Sequence, residues 1–138
     1  MGLFTGSRPK KLGFENQKFA RDEHRNAWKP NWVSSTLADT AAKNYIAPLS
    51  FTGNPAKAWA RMVEIATALP RCTVVAKSES YLHLEVASKA MGFTDDLEFA
   101  LDVKGLRIHA RSGARLGVRD FGMNRKHVEA VRRKFASA

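Results

Sequence analysis

"LEFALDVKGLRIHA" (residues 97–110) sets the architecture, because apolar and polar side chains alternate along two runs that flank Lys104 and Gly105. A period of two is typical of half-buried strands, and a short glycine-containing loop between two such runs predicts a β-hairpin. If the loop has two residues, the register follows by counting outward from it. The core face then pairs Val103 with Leu106, Leu101 with Ile108, and Phe99 with Ala110.

The other face of this hairpin is predicted to carry charge. The same register places Asp102 opposite Arg107 and Glu98 opposite Arg111, with His109 between the two arginines along the strand. Opposite charges that face each other across two strands stabilise a sheet by roughly 0.2–1 kcal/mol per pair. Part of the acid–base contrast in this region is therefore architectural.

Further strands are predicted upstream of the hairpin. Residues 72–77 and 81–87 have strand patterns, and in the second of these Leu82, Leu84 and Val86 share one face. Residues 44–51 alternate weakly and contain Pro48, so they form at most an edge strand.

Two amphipathic helices complete the predicted domain. Asn54 is a favourable N-cap for the first helix, Pro55 fits its first position, and Pro70 ends the run. The second is predicted to begin near Asn124 as N-cap and to end near residue 136. The apolar residues at helical spacing are Trp59, Met62, Val63, Ala66 and Leu69 in the first helix and Val128, Val131 and Phe135 in the second.

Together these elements predict a single α+β domain, with an antiparallel sheet of four or five strands packed on one face by two helices. Residues 1–30 mix charges with isolated aromatics without a sustained period and are expected to form a loosely ordered basic arm. The domain itself is expected to span residues 31–138. A chain of 138 residues is long enough for one buried core.

Composition limits the class of protein. A single cysteine, Cys72, excludes an internal disulfide and favours a reducing compartment. Because neither a signal peptide nor a membrane-spanning stretch is visible in the sequence, we expect a cytoplasmic protein.

The net charge of +10 is concentrated in the last quarter of the chain. Residues 104–138 contain ten Lys or Arg and two acids, whereas residues 31–103 contain six and eight. A basic segment of this kind indicates an anionic partner such as a phosphate, a carboxylate, a lipid head group or nucleic acid. Nucleic acid ranks lower, because the hairpin lacks exposed aromatics for base stacking and no nucleic-acid motif is present.

Residues 111–125 combine glycines with arginines between a predicted strand and a predicted helix. Arginine offers a two-pronged donor to phosphate or carboxylate, and free amides at a helix start also bind anions. The candidate binding residues are Arg111, Ser112, Arg115, Arg119, Asn124 and Arg125. Buried arginines usually need internal carboxylates, however, so a structural role ranks first for this loop taken alone.

Four carboxylates near this loop are either structural or acid–base groups: Asp95, Asp96, Glu98 and Asp120. No catalytic triad can be assembled, so no catalytic residue is assigned. The four histidines have no zinc-binding spacing and the acids have no calcium-loop spacing, so neither a metal nor a cofactor is expected.

Four segments in order resemble a known family: "NWVSS" (31–35), "IAPL" (46–49), "YLHLEVASKAMGFTDDLEFALD" (81–102) and "RSGARLGVRDFGMNRKHVEAVR" (111–132). They are similar to the bacterial and plastid family called domain of unknown function 1499, over roughly residues 31–135. The resemblance implies no catalytic residue, since the family is uncharacterised. Trp32 stands where the family commonly has a cysteine, which argues against a thiol role here.

Three hypotheses about function follow from these patterns. The leading one is a non-enzymatic module that binds an anionic group through the Arg/Gly-rich loop at a helix start. The second is a small enzyme that uses Asp95, Asp96 or Glu98 beside an arginine clamp, which requires a pocket joining both motifs and a carboxylate with a raised pKa. The third is a structural, adaptor or nucleic-acid-binding protein.

Overall fold

The computed structural model describes residues 12–20, 29–88, 93–116 and 120–137. The strands are β1 (Phe14–Glu15), β2 (Lys18–Phe19), β3 (Trp32–Ser34), β4 (Leu49–Ser50), β5 (Cys72–Lys77), β6 (Tyr81–Ala87), β7 (Thr94–Asp102) and β8 (Arg107–Ala114). The helices are α1 (Pro55–Thr67) between β4 and β5, and α2 (Met123–Ser137) at the end.

The main sheet is an antiparallel meander with two short strands added to one edge. Strands β8, β7, β6 and β5 lie side by side, and β3 and β4 both pair with the outer edge of β8. The prediction of one α+β domain is confirmed, but this sheet has six strands rather than four or five. The strand absent from the prediction is β3, whose three residues are too short to show alternation, whereas β4 is the part of the predicted edge segment 44–51 that forms a strand.

The central hairpin has the predicted register. Leu101 pairs with Ile108, Phe99 with Ala110, and Glu98 with Arg111. The pair of Val103 with Leu106 is wrong as a core contact, because both side chains are exposed. The strands stop one residue earlier than predicted, and the Asp102 side chain holds the turn by accepting from the Gly105 amide at 3.0 Å and from Arg107 Nε at 2.8 Å.

The core lies between the sheet and the two helices. In α1 the Asn54 side chain accepts from the Lys57 amide at 3.0 Å and Pro55 opens the helix, as predicted. The core cluster contains Trp59 and Met62 of α1, Val128 and Phe135 of α2, and the apolar faces of β6, β7 and β8. Both helices therefore pack on one face of the sheet, and the other face is left for polar side chains.

The start of α2 differs from the prediction. The helix begins at Met123, and Asn124 is fully buried in its first turn instead of acting as the N-cap. Asp120 takes the capping role: its carboxylate accepts from the amides of Gly122 at 2.8 Å and Asn124 at 3.0 Å. A carboxylate at this position also offsets the positive end of the helix dipole.

Candidate functional site

The sheet face opposite the helices buries a row of ion pairs. Arg111 and Glu98 are each about 1% exposed, and Arg111 donates from Nε to Glu98 Oε1 at 2.8 Å. Its Nη2 lies 2.6 Å from the same oxygen. The predicted pairs of Glu98 with Arg111 and Asp102 with Arg107 are both formed. Arg111 therefore contacts an internal carboxylate with the fork that an external anion would use.

The small hairpin of β1 and β2 covers this pair. The Gly13 amide donates to Glu98 Oε2 at 3.0 Å, and Arg111 donates to the Ala20 carbonyl. The Phe19 ring lies 5.0 Å from the Arg111 guanidinium carbon, which is a cation–π distance. Glu98 and Arg111 are thus enclosed by protein on the side that faces away from the helices.

Tyr81 adds a third donor to Glu98. Its hydroxyl donates to Glu98 Oε2. Burial, the charge of Glu98 and this hydrogen bond all raise the pKa of Tyr81, so the phenol stays protonated at neutral pH. Tyr81 therefore acts as a hydrogen-bond donor and not as a base.

Arg115 closes a second buried cluster along the same face. It donates from Nε to Asp96 Oδ2 at 2.9 Å, it also bonds to Glu85, and His83 Nε2 lies 2.8 Å from Asp96 Oδ1. Burial alone raises the pKa of Asp96, but the hydrogen bonds from His83 and Arg115 outweigh it and hold that pKa below its usual range. The hydrogen bond with Asp96 likewise raises the pKa of Arg115. Asp96 is consequently an ionised structural group and a weak base.

Ser112 and Asn124 bridge β8 to α2. Ser112 Oγ donates to Asn124 Oδ1 at 2.6 Å, and Asn124 Nδ2 donates to the Asn31 carbonyl at 3.0 Å and to Asp120 Oδ2 at 2.7 Å. All polar atoms of the Asn124 amide are used in these contacts. The polar residues of the predicted loop thus join three parts of the fold at the helix start.

The remaining predicted binding residues lie apart from one another. Arg125 donates from Nη2 to the carbonyls of Lys43 at 3.0 Å and Tyr45 at 2.9 Å, on the side of α2 towards β3. Arg119 lies outside the described residues. The predicted arginines therefore do not converge on one open point within the part of the chain that the structure describes.

A pocket of about 420 Å³ opens instead where β6, β7 and β8 meet the start of α2. It includes the described ends of the Arg/Gly-rich loop, at Leu116 and at Asp120. Most of its surface area is apolar, although half of its lining residues are polar. The lining consists of Arg71, Ala87, Ser88, Phe93, Thr94, Asp95, Ala114, Leu116, Asp120, Phe121, Met123 and His127. A pocket of this size and lining is suited to a small ligand.

Two polar features lie in the pocket. His127 Nε2 is 2.8 Å from Asp95 Oδ2, and both side chains are 13% exposed. Arg71, which follows α1, is exposed and donates from Nε to the Ala87 carbonyl at 3.1 Å. The lining of the pocket thus includes both an exposed arginine and a histidine–carboxylate pair.

Apolar side chains are exposed around the pocket, and they form the surface that we call the rim. Of the seven large apolar side chains that are exposed among the described residues, four line this one pocket. They are Phe93, Leu116, Phe121 and Met123. Phe121 is 87% exposed, so its ring projects into solvent.

Arg111 and Arg115 contact predicted carboxylates on the polar face of the sheet, and Arg125 lies apart from them. Of the predicted carboxylates, Asp95 and Asp120 line the pocket.

Arg71, Phe121 and His127 were not predicted as site residues. Their positions are far apart in the chain, and no motif links them. The signal that could have indicated Phe121 is its place in "RDFGMN" before Gly122, since an aromatic next to a turn glycine at a helix start has no core position to fill.

The described ranges 12–20, 29–88, 93–116 and 120–137 contain neither a metal-binding cluster nor a membrane-spanning helix. Within them no group of three or more His, Cys, Asp or Glu side chains is arranged to hold a metal ion. None of the helices in these ranges is long and apolar enough to cross a membrane.

One comparison with known proteins finds a match. A family model described as "Protein of unknown function (DUF1499)" matches residues 25–135. No curated protein and no solved structure matches the chain. The matched range contains the pocket, both ion-pair clusters and α2 up to Phe135, whereas β1 and β2 precede it.

Proposed function

The chain belongs to the DUF1499 family, and we propose that it is a non-enzymatic module that binds an anionic group in the pocket beside the start of α2. One observation carries the proposal: an exposed arginine, Arg71, lies at the edge of a pocket whose walls are mostly apolar. A ligand with a carboxylate or phosphate at one end and an apolar body matches both features.

The position of Arg71 supports this role. Its backbone has a φ of 56°, and its Nε bonds to the Ala87 carbonyl, so the guanidinium is held against the end of β6. An anchored guanidinium loses less side-chain entropy when it binds a carboxylate or a phosphate. Arg71 thus provides the anion contact that Arg111 and Arg115, which pair with Glu98 and Asp96, do not have available.

The two carboxylates in the pocket already have internal donors. Asp95 lies 2.8 Å from His127, and Asp120 accepts from the amides of Gly122 and Asn124. Their charge is therefore partly compensated by groups of the protein, which lowers the repulsion of an incoming anion.

Calorimetric titration of the full chain with decanoate tests the proposal. We expect saturable binding that weakens about tenfold or more in Arg71→Gln, because a charge-assisted hydrogen bond contributes about 1.5–3 kcal/mol. Arg133→Gln is the matched control, since Arg133 is also exposed but lies outside this pocket. Decanoate that fails to bind, or that binds equally to Arg71→Gln, contradicts an anion site here.

A second candidate function is a small enzyme, and the pair of His127 with Asp95 favours it. A carboxylate that orients an imidazole in a pocket is an arrangement used for general-base chemistry. Asp96 and Glu98 are less suited to such a role, because each is paired with a buried arginine and the pKa of Asp96 is lowered.

Hydrolysis of p-nitrophenyl decanoate and p-nitrophenyl phosphate tests this candidate. An enzyme of this kind gives turnover that is lost in His127→Gln and reduced in Asp95→Asn, with the fold retained in both variants. Turnover that persists in His127→Gln excludes the pair as its source. Binding of decanoate without turnover of either ester favours the non-enzymatic proposal.

A further inference from the structure

The rim has no counterpart elsewhere among the described residues. The other three exposed large apolar side chains, Val74, Val103 and Leu106, lie on β5 and on the β7–β8 turn. The rim residues come from two parts of the chain, Phe93 before β7 and the other three between residues 116 and 123, and all border the same opening. Exposed apolar side chains gathered around a pocket mark a surface that something covers.

The backbone at the helix start fixes Phe121 in its outward position. Phe121 has a φ of 55° and Gly122 a φ of 78°, so the chain makes two consecutive left-handed steps before α2 begins. Asp120 holds this turn, because its carboxylate accepts from the Gly122 and Asn124 amides and its carbonyl accepts from the Met123 amide at 3.1 Å. The ring is thus presented to solvent by a turn that is tied to the helix.

The surrounding charge favours an anionic surface as the covering partner. Arg71 lies in the pocket, and Lys126 is exposed in the first turn of α2. Asp95 and Asp120 also line the pocket, but both already have partners within the protein. Over the whole chain the net charge is +10, which attracts the protein to an anionic surface. A projecting aromatic ring together with cations is the combination by which peripheral proteins engage anionic lipid surfaces.

We propose that the rim docks on a lipid bilayer that contains anionic lipids, with Phe121 inserted between the lipids and the pocket open to an acyl chain. This deepens the proposed function, on which it rests, by naming the source of the amphipathic anion. The pocket favours a bilayer as the partner, because its mostly apolar walls match an acyl chain and Arg71 matches an anionic head group.

Sedimentation of the full chain with sucrose-loaded vesicles tests the proposal. Vesicles of phosphatidylcholine are compared with vesicles that also contain phosphatidylglycerol, at low and moderate salt. We expect binding to the anionic vesicles, and about a tenfold lower partition coefficient for Phe121→Asn, since the variant removes one buried aromatic side chain from the bound state. Asparagine tolerates the left-handed backbone, so the variant keeps the fold.

Leu106→Asn is the matched control. Leu106 is also an exposed apolar residue in the left-handed region, with a φ of 51°, but it lies at the opposite end of the β7–β8 hairpin. Its partition coefficient is expected to equal that of the unmodified chain. The proposal is overturned if both variants lose the same amount of vesicle binding. It is also overturned, in favour of a diffuse charge effect, if binding vanishes at moderate salt and is unchanged in Phe121→Asn.

The decanoate titration separates the two proposals. Decanoate binding without vesicle binding overturns the bilayer and leaves the anion site standing, with a free amphiphile or a protein as the partner of the rim. Vesicle binding that depends on Phe121 but is not accompanied by decanoate binding retains the docking surface and overturns the anion pocket. If neither decanoate nor vesicles bind, both the anion pocket and the docking surface are overturned.

Discussion

The polar face of the sheet and the rim of the pocket both hold side chains in surroundings that disfavour them. The polar face buries charges such as Glu98 and Arg111, whereas the rim exposes large apolar side chains such as Phe121. On the polar face, each misplaced group has a partner within the protein: Arg111 has Glu98, and Arg115 has Asp96 and Glu85. The Phe121 ring, 87% exposed, has most of its surface in water.

This difference indicates that the ion pairs of the polar face serve folding, whereas the exposed rim does not. A buried ion pair is costly to form, but once formed it specifies the register of β7 against β8, since a slip by one residue unpairs every charge on that face. An exposed aromatic ring in a left-handed backbone contributes little to folding. The acidic and basic residues between 95 and 125 therefore serve mainly to specify the fold of the sheet. The exposed apolar residues of the rim are better explained by an interaction with another molecule.

Glu98→Gln is expected to lower the free energy of unfolding most, because it removes the central ion pair of the polar face. Removing this carboxylate leaves the Arg111 charge buried without its ion-pair partner, and such a loss costs about 3–5 kcal/mol of unfolding free energy. Urea unfolding followed by tryptophan fluorescence measures the difference.

Glu129→Gln is the control for that variant. Glu129 bonds to Arg132 at 3.0 Å on the surface of α2, where both side chains are partly exposed, and a pair of this kind contributes about 0–1 kcal/mol. If Glu98→Gln costs no more than Glu129→Gln, the buried pair does not stabilise the sheet and the contrast between the two regions fails.

Asp96→Asn is expected to give an intermediate effect that depends on pH. The folded-state pKa of Asp96 is lowered, because the hydrogen bonds from His83 and Arg115 outweigh the effect of burial. A lowered pKa contributes stability that is fully present above the unfolded value, about 3.9, and is lost as the pH falls through the folded value. The variant therefore loses roughly 1.5–3 kcal/mol near neutral pH, as for a hydrogen bond to a charged group.

The same unfolding experiment below pH 4 completes this prediction. Acidification protonates Asp96 in the unmodified chain, so the two proteins become closer in stability there. A difference that stays constant from neutral to acid pH contradicts an ionised Asp96 in the folded state.

The sequence was sufficient for the features that depend on local periodicity. The alternation in residues 97–110 predicted the pairing of Leu101 with Ile108 and of Glu98 with Arg111, and the caps at Asn54 and Pro55 predicted the start of α1. The predicted turn was wrong because Val103 and Leu106 continue the apolar alternation. In the structure the strands end before these two residues, and the Asp102 side chain bonds to Gly105 and Arg107 across the turn. Apolar alternation alone does not distinguish a strand end from a strand.

The pocket could not be predicted in the same way, because it depends on contacts between distant parts of the chain. Arg71 follows α1, Asp95 is the second residue of β7 and His127 lies in α2, and they line one pocket only once the sheet has formed. Asn124 was predicted as a cap for a related reason: its residue type fits, but the helix begins one residue earlier and Asp120 accepts from the amides of Gly122 and Asn124, which leaves the Asn124 side chain to bond Ser112 and Asn31. Which of two acceptable caps is used is decided by tertiary packing.

Phe121→Asn is expected to change the free energy of unfolding least of the three variants, and to raise it instead of lowering it. A non-glycine residue in the left-handed region is disfavoured by roughly 1–2 kcal/mol, and asparagine is one of the residues that adopt it more readily. Because the Phe121 ring is mostly exposed, its removal forfeits little burial, so the variant should be more stable by up to about 1 kcal/mol in urea unfolding. Leu106→Asn, with the same backbone region, should gain a similar amount. A substitution at Phe121 that raises stability and lowers vesicle binding identifies a residue whose side chain is retained for its partner and not for the fold. If Phe121→Asn is instead destabilised by more than 1 kcal/mol, the ring packs on the protein after all, and the rim belongs with the polar face as part of the architecture.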